Sequence, residues 1–255
     1  KERSMEHPIS QEEIDKFVDL AVAGTFEEVL AKITCWFIPK KDLMEKQLDD
    51  LYQHHPPSFL ISRQLVDGKG RTVAKLGNPQ EDYDANLIHL MSQNFNMIAI
   101  IFRIIMDRFI AEFGPSASSI VDYLYSSPIF VDSKREIIEL GIQAYLDGSY
   151  ISAVHLLIPQ VEDILRKLVE IKGGSVLRQG KYGGYDYKGL NQLLSDPIIS
   201  TVLGEDITLY FNALLTDQRG WNLRNIISHG IPPTDFIDAS IADRVLHVFL
   251  CLALY

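Results

Sequence analysis

A short stretch near the end of the chain, residues 221–230, concentrates side chains suited to phosphate chemistry: Trp-Asn-Leu-Arg-Asn-Ile-Ile-Ser-His-Gly. On an ideal helix Asn225 and His229 lie on one face, and Arg224 stands about 140° from His229, within reach of its long side chain. A histidine that gives and takes a proton near neutral pH suits general acid and base cleavage of a phosphodiester. Arginine offers fork-shaped donors to phosphate oxygens and opposes the charge that grows there in the transition state.

Gly230 and the prolines at 232 and 233 predict that the helix carrying this stretch stops there, with His229 in its last turn. The negative end of the helix dipole would favour the imidazolium form at that place. The alternative interpretation is structural. In that case His229 caps its own helix, and Arg224 pairs with a neighbouring carboxylate.

The order Arg224-Asn225, three residues, His229-Gly230 resembles the signature of the DUF4209 family. The wider pattern, Arg followed by a polar residue and then by His after four to six residues, resembles the HEPN superfamily of helical ribonuclease and nucleotide-binding domains. Upstream, residues 155–166 resemble the first core helix of those domains. They carry Pro159, Glu162 and Arg166 in Pro-x-x-Glu-x-x-x-Arg order, and the resemblance covers about residues 134–255.

The resemblance implies a metal-independent endoribonuclease without a cofactor. Many HEPN proteins act as homodimers in which the Arg and His of two protomers face one cleft, and several are toxins or act in phage defence. An antitoxin or another protein partner is therefore part of the expectation. Carried over to this chain, His229 is the general base or acid, Arg224 contacts the phosphate, and Asn225 orients the phosphate or donates to it.

Three further residues are predicted to support this site: Glu162, Arg166 and Arg219. Glu162 either orients the Arg224 guanidinium from across the helical bundle or forms a surface ion pair with Arg166 at the i, i+4 spacing. Both alternatives stay open at the level of sequence.

The loop from Lys172 to Gly189 contains six glycines, three tyrosines and four basic residues against a single acidic one. A mobile, aromatic and basic loop can stack bases and hold phosphates, which makes it a candidate RNA-binding segment. The residues selected for that role are Lys181, Tyr182, Tyr185 and Lys188. The alternative is a flexible connector whose tyrosines pack on the bundle.

The composition limits the kind of RNA site the chain can carry. A formal net charge of −10 provides no general basic field, so a nucleic-acid site must be local.

Cys35 and Cys251 lie in apolar neighbourhoods and have no metal-ligand partner close in sequence, which predicts buried thiols in a reducing, cytoplasmic setting. The start of the chain is charged and lacks a secretory apolar core. A first residue other than Met and an apolar last segment indicate a piece of a longer protein.

Helix signals dominate the organisation of the chain. Capping boxes at Ser10 and Thr25 predict helices of about 11–23 and 26–37. Further helices are expected at about 42–53, 84–113, after 116, 134–146 and 149–171, the last interrupted by Pro159. A β-hairpin near 59–76 is predicted around Asp67-Gly68 as the only β element. The stretch 97–106 is too short and too charged to span a bilayer, so no membrane span is expected.

These observations predict an all-α protein: residues 1–131 as a helical region with a small β-hairpin insertion, and residues 132–255 as a HEPN-like helical bundle. Apolar residues at helical spacing predict that the helix containing Leu165 faces the last helix in the core. The main alternative to a ribonuclease is a non-catalytic module that binds RNA, a nucleotide or a protein. A helical interaction scaffold with a structural motif is the third interpretation.

Overall fold

The computed structural model describes residues 10–54, 61–67, 69–231 and 233–255. In these ranges the chain is all-α with two small antiparallel hairpins, so the predicted fold class is confirmed. The helices are α1 (Gln11–Val22), α2 (Phe26–Phe37), α3 (Lys41–His54), α4 (Tyr83–Phe113), α5 (Ala117–Leu124), α6 (Arg135–Leu146), α7 (Tyr150–Ile171), α8 (Leu190–Leu194), α9 (Pro197–Phe211), α10 (Leu223–Ser228) and α11 (Ala239–Leu252). The strands are β1 (Arg63–Val66), β2 (Thr72–Leu76), β3 (Leu177–Gln179) and β4 (Tyr185–Tyr187).

Side-chain caps explain where several helices begin. The two predicted capping boxes are present, with Ser10 and Glu13 at α1 and Thr25 and Glu28 at α2. The α11 helix starts at Asp238, whose carboxylate accepts a hydrogen bond from the Ile241 amide at 3.0 Å. Each cap satisfies an amide that lacks a partner within its helix.

The core is continuous across the chain, and α11 lies at its centre. This helix packs against α2 and α4 as well as against α5 and α7, and all the residues from 241 to 252 are buried. The predicted contact between α7 and α11 is confirmed, with Leu165 fully buried. The division at residues 131 and 132 stays a prediction, because helices on both sides of it contribute to the same core.

Buried polar groups join α11 to its neighbours. One carboxylate oxygen of Asp243 accepts hydrogen bonds from Arg103 and Tyr145, each at 2.6 Å. One turn further along, the His247 ring nitrogen Nε2 lies 3.0 Å from the carbonyl oxygen of Thr34. These bonds cross-link α2, α4, α6 and α11, and a buried polar group needs such partners to remain in the core.

The helix α7 is continuous through Pro159, which was predicted to interrupt it. Proline removes the bond to the carbonyl of residue 155. Both of these residues are exposed, so water can solvate that carbonyl, while Leu157, Ile158 and Val161 anchor the helix in the core. Tertiary packing therefore overrides the local break.

The segment predicted as a mobile loop forms a second hairpin. Strand β3 pairs with β4 in antiparallel register, with Arg178 opposite Asp186, so the prediction of one β element was wrong. Each strand has three residues and all six are exposed, which leaves no apolar alternation to read in the sequence. In the first hairpin, β1 begins at Arg63, while Phe59, Leu60 and Gly68 of the predicted hairpin lie outside the described residues.

The two cysteines differ in burial. Cys251 is buried as predicted, whereas Cys35 is exposed, so that prediction was wrong. Both Cys35 and the adjacent Trp36 lie on the outward side of α2, while the core-facing side carries Ile33 and Phe37. The apolar neighbours of Cys35 in the sequence belong to the buried face of this amphipathic helix, which is the face opposite to Cys35.

One helical stretch of the described residues, Pro197–Thr216, has the length and apolar composition that a membrane span requires. Half of it is buried inside the fold. Glu205 and Asp206 near its centre form ion pairs with Lys41 and Lys40. Such features are those of a core helix, so the length and composition alone are weak evidence for a span.

Candidate functional site

The backbone before the motif is held by a close approach at Gly220. A turn of π-helix covers residues 212–216, and the Trp221 amide then donates to the carbonyl oxygen of Ala213 at 2.8 Å. A Cβ atom at Gly220 would lie 1.9 Å from that same oxygen, so only glycine fits. Asn222 follows with a φ of 51°, in the left-handed region that Asn tolerates better than most residues.

The α10 helix ends as the sequence predicted, with a left-handed glycine. Gly230 has a φ of 59°, its amide donates to the Ile227 carbonyl, and the Ile231 amide donates to the Ile226 carbonyl, each at 3.0 Å. This is a Schellman motif. His229 occupies the cap position just beyond the last helical residue, and it is exposed.

Glu162 brings two guanidinium groups together. One of its carboxylate oxygens accepts from Arg224 Nη2 at 3.0 Å, and the other accepts from Arg166 Nη2. The Glu162 side chain is 14% exposed. Both alternatives left open by the sequence are therefore present at once, the bond across the bundle and the i, i+4 ion pair.

Asn225 links Arg224 to the turn before α10. Its side-chain oxygen accepts from Arg224 Nη1 at 3.2 Å. Its amide nitrogen donates to Asn222 Oδ1 at 2.6 Å and to the Thr216 carbonyl at 3.3 Å. Together, the one donor and the two acceptors fix which way the amide is turned, so Asn225 and Glu162 hold the Arg224 guanidinium from two sides.

His229 stands apart from this cluster. Among the described residues it has no side-chain hydrogen bond or ion pair, whereas the histidine on α7, His155, bonds its own helix through the Ile151 carbonyl. An exposed imidazole without a structural partner is available for proton transfer. The structural alternative required the His229 ring to cap its own helix. Among the described residues, the ring makes no hydrogen bond to a carbonyl of α10.

The charges around Arg224 balance. Arg166 also lies 3.8 Å from Asp163, and Lys188 pairs with Asp196 at 2.9 Å. The three positive charges of Arg166, Arg224 and Lys188 are thus matched by the carboxylates of Glu162, Asp163 and Asp196. Binding of a phosphate would therefore depend on the geometry of Arg224 rather than on an excess of positive charge.

The second hairpin is anchored next to this cluster. The Arg166 guanidinium lies 5.2 Å from the centre of the Tyr187 ring, and its Nε donates to the Lys188 carbonyl at 3.4 Å. At the tip, Tyr182 is 94% exposed and Tyr185 is 77% exposed. Lys181 lies over Tyr182, with its Nζ 5.8 Å from the ring centre. These two tyrosines therefore do not pack on the bundle.

Arg219 lies in a separate part of the site. Its Nε and Nη2 donate to the two carboxylate oxygens of Asp217 at 2.8 and 2.6 Å, and its Nη1 lies 3.8 Å from Asp82. Although burial alone would raise the pKa of Asp217, the hydrogen bonds from Arg219 hold it below its ordinary value. The prediction grouped Arg219 with Glu162, and the structure places it instead at a cleft that reaches Asn225.

Two cavities flank α10. A polar cleft of about 320 Å3 lies on the Asn225 side, and a groove of about 990 Å3 lies beside Asn222 and Ile226. The first hairpin contributes to both, with Ala74 at the cleft and Val73 at the groove. These cavities could not be predicted from local sequence patterns, because their walls come from segments far apart in the chain.

The described residues hold no group of three or more His, Cys, Asp or Glu side chains placed to bind a metal ion. Two adjacent histidines stand at positions 54 and 55. The His54 Nδ1 atom lies 2.7 Å from the Asp50 carbonyl oxygen, and His55 lies outside the described residues.

Comparisons of the chain with protein-family models, with curated proteins and with solved structures found no match.

Proposed function

We propose that this chain is a metal-independent endoribonuclease of HEPN type. The observation that carries the proposal is an exposed His229 at the end of α10, on the same short helix as an Arg224 whose guanidinium is held by Glu162 and Asn225. A fixed guanidinium needs little reorganisation to meet a phosphate in the transition state. An imidazole that is exposed to solvent can also exchange protons with the solvent and with a bound RNA.

In this mechanism the RNA 2′-hydroxyl attacks the adjacent phosphorus. One His229 removes the hydroxyl proton as the O2′–P bond forms, and an acid protonates the O5′ leaving oxygen as the P–O5′ bond breaks. Arg224 binds the phosphate oxygens and opposes their growing charge, and Asn225 keeps Arg224 oriented. The products are a 2′,3′-cyclic phosphate and a 5′-hydroxyl, so DNA is not a substrate.

One protomer supplies one histidine at this place, and the second proton-transfer group would come from a partner copy in a homodimer. Apolar side chains near His229 support such an interface: Ile231 is 53% exposed, and both Ile231 and Phe236 line the groove beside α10. The expected role as a toxin or phage-defence effector, with an antitoxin or other protein partner in the cytoplasm, rests on the family resemblance.

The β3–β4 hairpin is the proposed RNA-binding element. Tyr182 and Tyr185 present exposed rings that can stack on bases, and Lys181 adds a positive charge at the tip. Lys188 lies at its base, where its ion pair with Asp196 holds the hairpin near the Glu162 cluster.

The decisive experiment compares His229→Ala with the wild type on labelled single-stranded RNA in the presence of EDTA. We expect the wild type to cleave the RNA, leaving cyclic phosphate ends, and His229→Ala to be inactive with an unchanged Tm. His155→Ala is the matched control, because His155 is also exposed but lies on α7, and it should remain active. Equal cleavage by wild type and His229→Ala would point to a contaminating nuclease and overturn the proposal.

A non-catalytic RNA-, nucleotide- or protein-binding module is the second candidate. One observation favours it: both terminal nitrogens of Arg224 are already bonded to the protein, and the local charges balance. Under this alternative, wild-type protein binds RNA and leaves it intact at every salt concentration, and Arg224→Lys lowers the Tm because lysine cannot bridge Glu162 and Asn225.

A further inference from the structure

The polar cleft beside Asn225 is built from residues of four segments, including Ala74 of β2. Its lining includes Asn191 at the start of α8, the turn residues Asp217, Gln218 and Arg219, and Asn225 itself. We propose that this cleft holds one adenine base of a bound RNA strand, stacked on the Arg219 guanidinium. The inference rests on the proposed function, because it places that base next to the phosphate on which Arg224 and His229 act.

Arg219 forms a fixed flat surface. The Nε and Nη2 edge of its guanidinium is bonded to both carboxylate oxygens of Asp217, and Nη1 lies 3.8 Å from Asp82. With these edges engaged, a face of the plane is the surface on which we place the stacked base. The side chain is 30% exposed, and guanidinium planes are among the surfaces on which unpaired RNA bases stack.

The charges of the cleft select a neutral group over a phosphate. The hydrogen bonds that Arg219 donates to Asp217, together with the charges of Asp217, Asp82 and Asp84, raise the pKa of Arg219. Asp217 lines the cleft, and Asp82 and Asp84 lie close enough to act on the same guanidinium, so a phosphate would meet net repulsion. A base carries no charge and keeps the benefit of stacking.

Two amide side chains can read the edge of that base. Asn191 and Gln218 are exposed, and neither makes a side-chain hydrogen bond to a described residue. Asn225 differs, since its amide is already bonded to Asn222 and Thr216. An amide presents a donor and an acceptor side by side, which matches the N7 acceptor and N6 donor of adenine.

The test measures binding separately from cleavage. Fluorescence anisotropy of labelled oligo(A) and oligo(U) RNA is recorded with full-length His229→Ala protein, so that the RNA is not consumed. We expect oligo(A) to bind at least about fivefold more tightly than oligo(U), the lower bound for one bidentate amide contact. The double variant with Asn191→Ala and Gln218→Ala should lose that preference. Gln143→Ala is the control, because Gln143 is an exposed amide on α6.

Arg219→Lys tests the platform, since lysine keeps the charge and loses the plane. It should weaken the binding of both oligonucleotides, and the Tm of each variant shows whether it is folded. Equal binding of oligo(A) and oligo(U), or a preference that survives in the double amide variant, overturns the inference. A preference that depends on the amides without any wild-type cleavage overturns the endoribonuclease function and leaves the base site standing. Cleavage of RNA by the wild type without a base preference overturns the base site and leaves the endoribonuclease function standing.

Discussion

At the scale of single residues, Glu162 is the carboxylate that positions the candidate site. It accepts from Arg166 and Arg224 at once, and its side chain is 14% exposed. Removing the charge leaves two partly buried guanidinium groups without their shared acceptor. The placement of both guanidinium groups therefore depends on this residue.

We expect Glu162→Gln to lower the free energy of unfolding by about 1.5 to 3 kcal/mol, the range for hydrogen bonds that involve charged groups. Urea denaturation measures this change. Asp163→Asn is the control, because Asp163 is more exposed and its contact with Arg166 is 3.8 Å long, and we expect a change below about 0.5 kcal/mol. Equal effects of the two substitutions would show that Glu162 is an ordinary surface carboxylate.

Burial of His247 makes the free energy of unfolding depend on pH. Burial, with a smaller contribution from Arg244, lowers its pKa to about 3. The ordinary pKa of about 6.5 applies in the unfolded chain, so acidification through that value protonates the unfolded state first. The stabilisation from neutral His247 is present above pH 6.5 and decreases as the pH falls.

Asp243 acts in the opposite direction. Burial raises its pKa to about 6, so its protonated form favours the folded state, and that stabilisation is lost as the pH rises towards 6. We predict that the free energy of unfolding of His247→Gln falls less than that of wild type between pH 6.5 and 4.5. Denaturant titrations at several pH values measure this difference. His155→Ala, which replaces an exposed histidine, should keep the wild-type slope, and parallel slopes for His247→Gln and wild type would contradict the prediction.

At the scale of elements, the contact of α7 with α11 carries much of the core. Leu165 is fully buried on α7. We expect Leu165→Ala to lower the free energy of unfolding by about 2 to 5 kcal/mol, because it removes buried methyl groups and leaves a cavity. Leu140→Ala on α6 is the control, since Leu140 is largely exposed and should change stability little. Urea unfolding midpoints that are the same for both variants would exclude this packing.

The β3–β4 hairpin allows a test of RNA binding that leaves the core intact. Tyr182→Ala and Tyr185→Ala remove exposed rings, so the Tm should not change. If each ring stacks on a base, each substitution should weaken the binding of single-stranded RNA by about 1 to 3 kcal/mol, roughly fivefold or more in Kd. Anisotropy in the His229→Ala background measures the loss. Unchanged affinity in both variants would remove the hairpin from the proposed RNA path.

Much of the helical framework could be predicted from local signals. Capping boxes and apolar periodicity gave the bounds of α1 and α2 to within one residue, and Gly230 gave the end of α10. The second hairpin could not be predicted, because its strands are exposed and too short for a pattern. Of the motif residues, Arg224 bonds Glu162, which was one of two alternatives at the level of sequence, while His229 stands apart. The bonds from Asn225 to Asn222 and Thr216 depend on a left-handed residue that no local rule indicated.

At the scale of the whole molecule, the sequence predicted the fold class but not the shared core. Periodicity shows which face of each helix is buried without showing which partner covers it. The contacts of α11 with α2 and α4 join the two predicted regions, and they are separated by more than a hundred residues in the chain. Only the folded chain reveals such contacts.

The proposed homodimer belongs to this scale. If the groove beside α10 lies at the interface, Ile231→Asp should convert dimer to monomer at micromolar concentration and reduce RNA cleavage, because it places a charge in an apolar contact. Sedimentation velocity measures the change in mass. Leu20→Asp on α1 is the control, since Leu20 is exposed to a similar extent far along the chain from the motif. A wild-type protein that is monomeric at these concentrations would count against the interface.

Gly220 has a consequence for recognising this site in other chains. A Cβ atom there would lie 1.9 Å from the Ala213 carbonyl oxygen, so any side chain would collide with the backbone, not with a movable neighbour. A chain that kept Arg, Asn and His but replaced this glycine would have to build the turn before the motif along another path. The glycine four residues ahead of the arginine is therefore a structural marker, and searching for it together with the motif would separate chains that share this geometry from those that share only three letters.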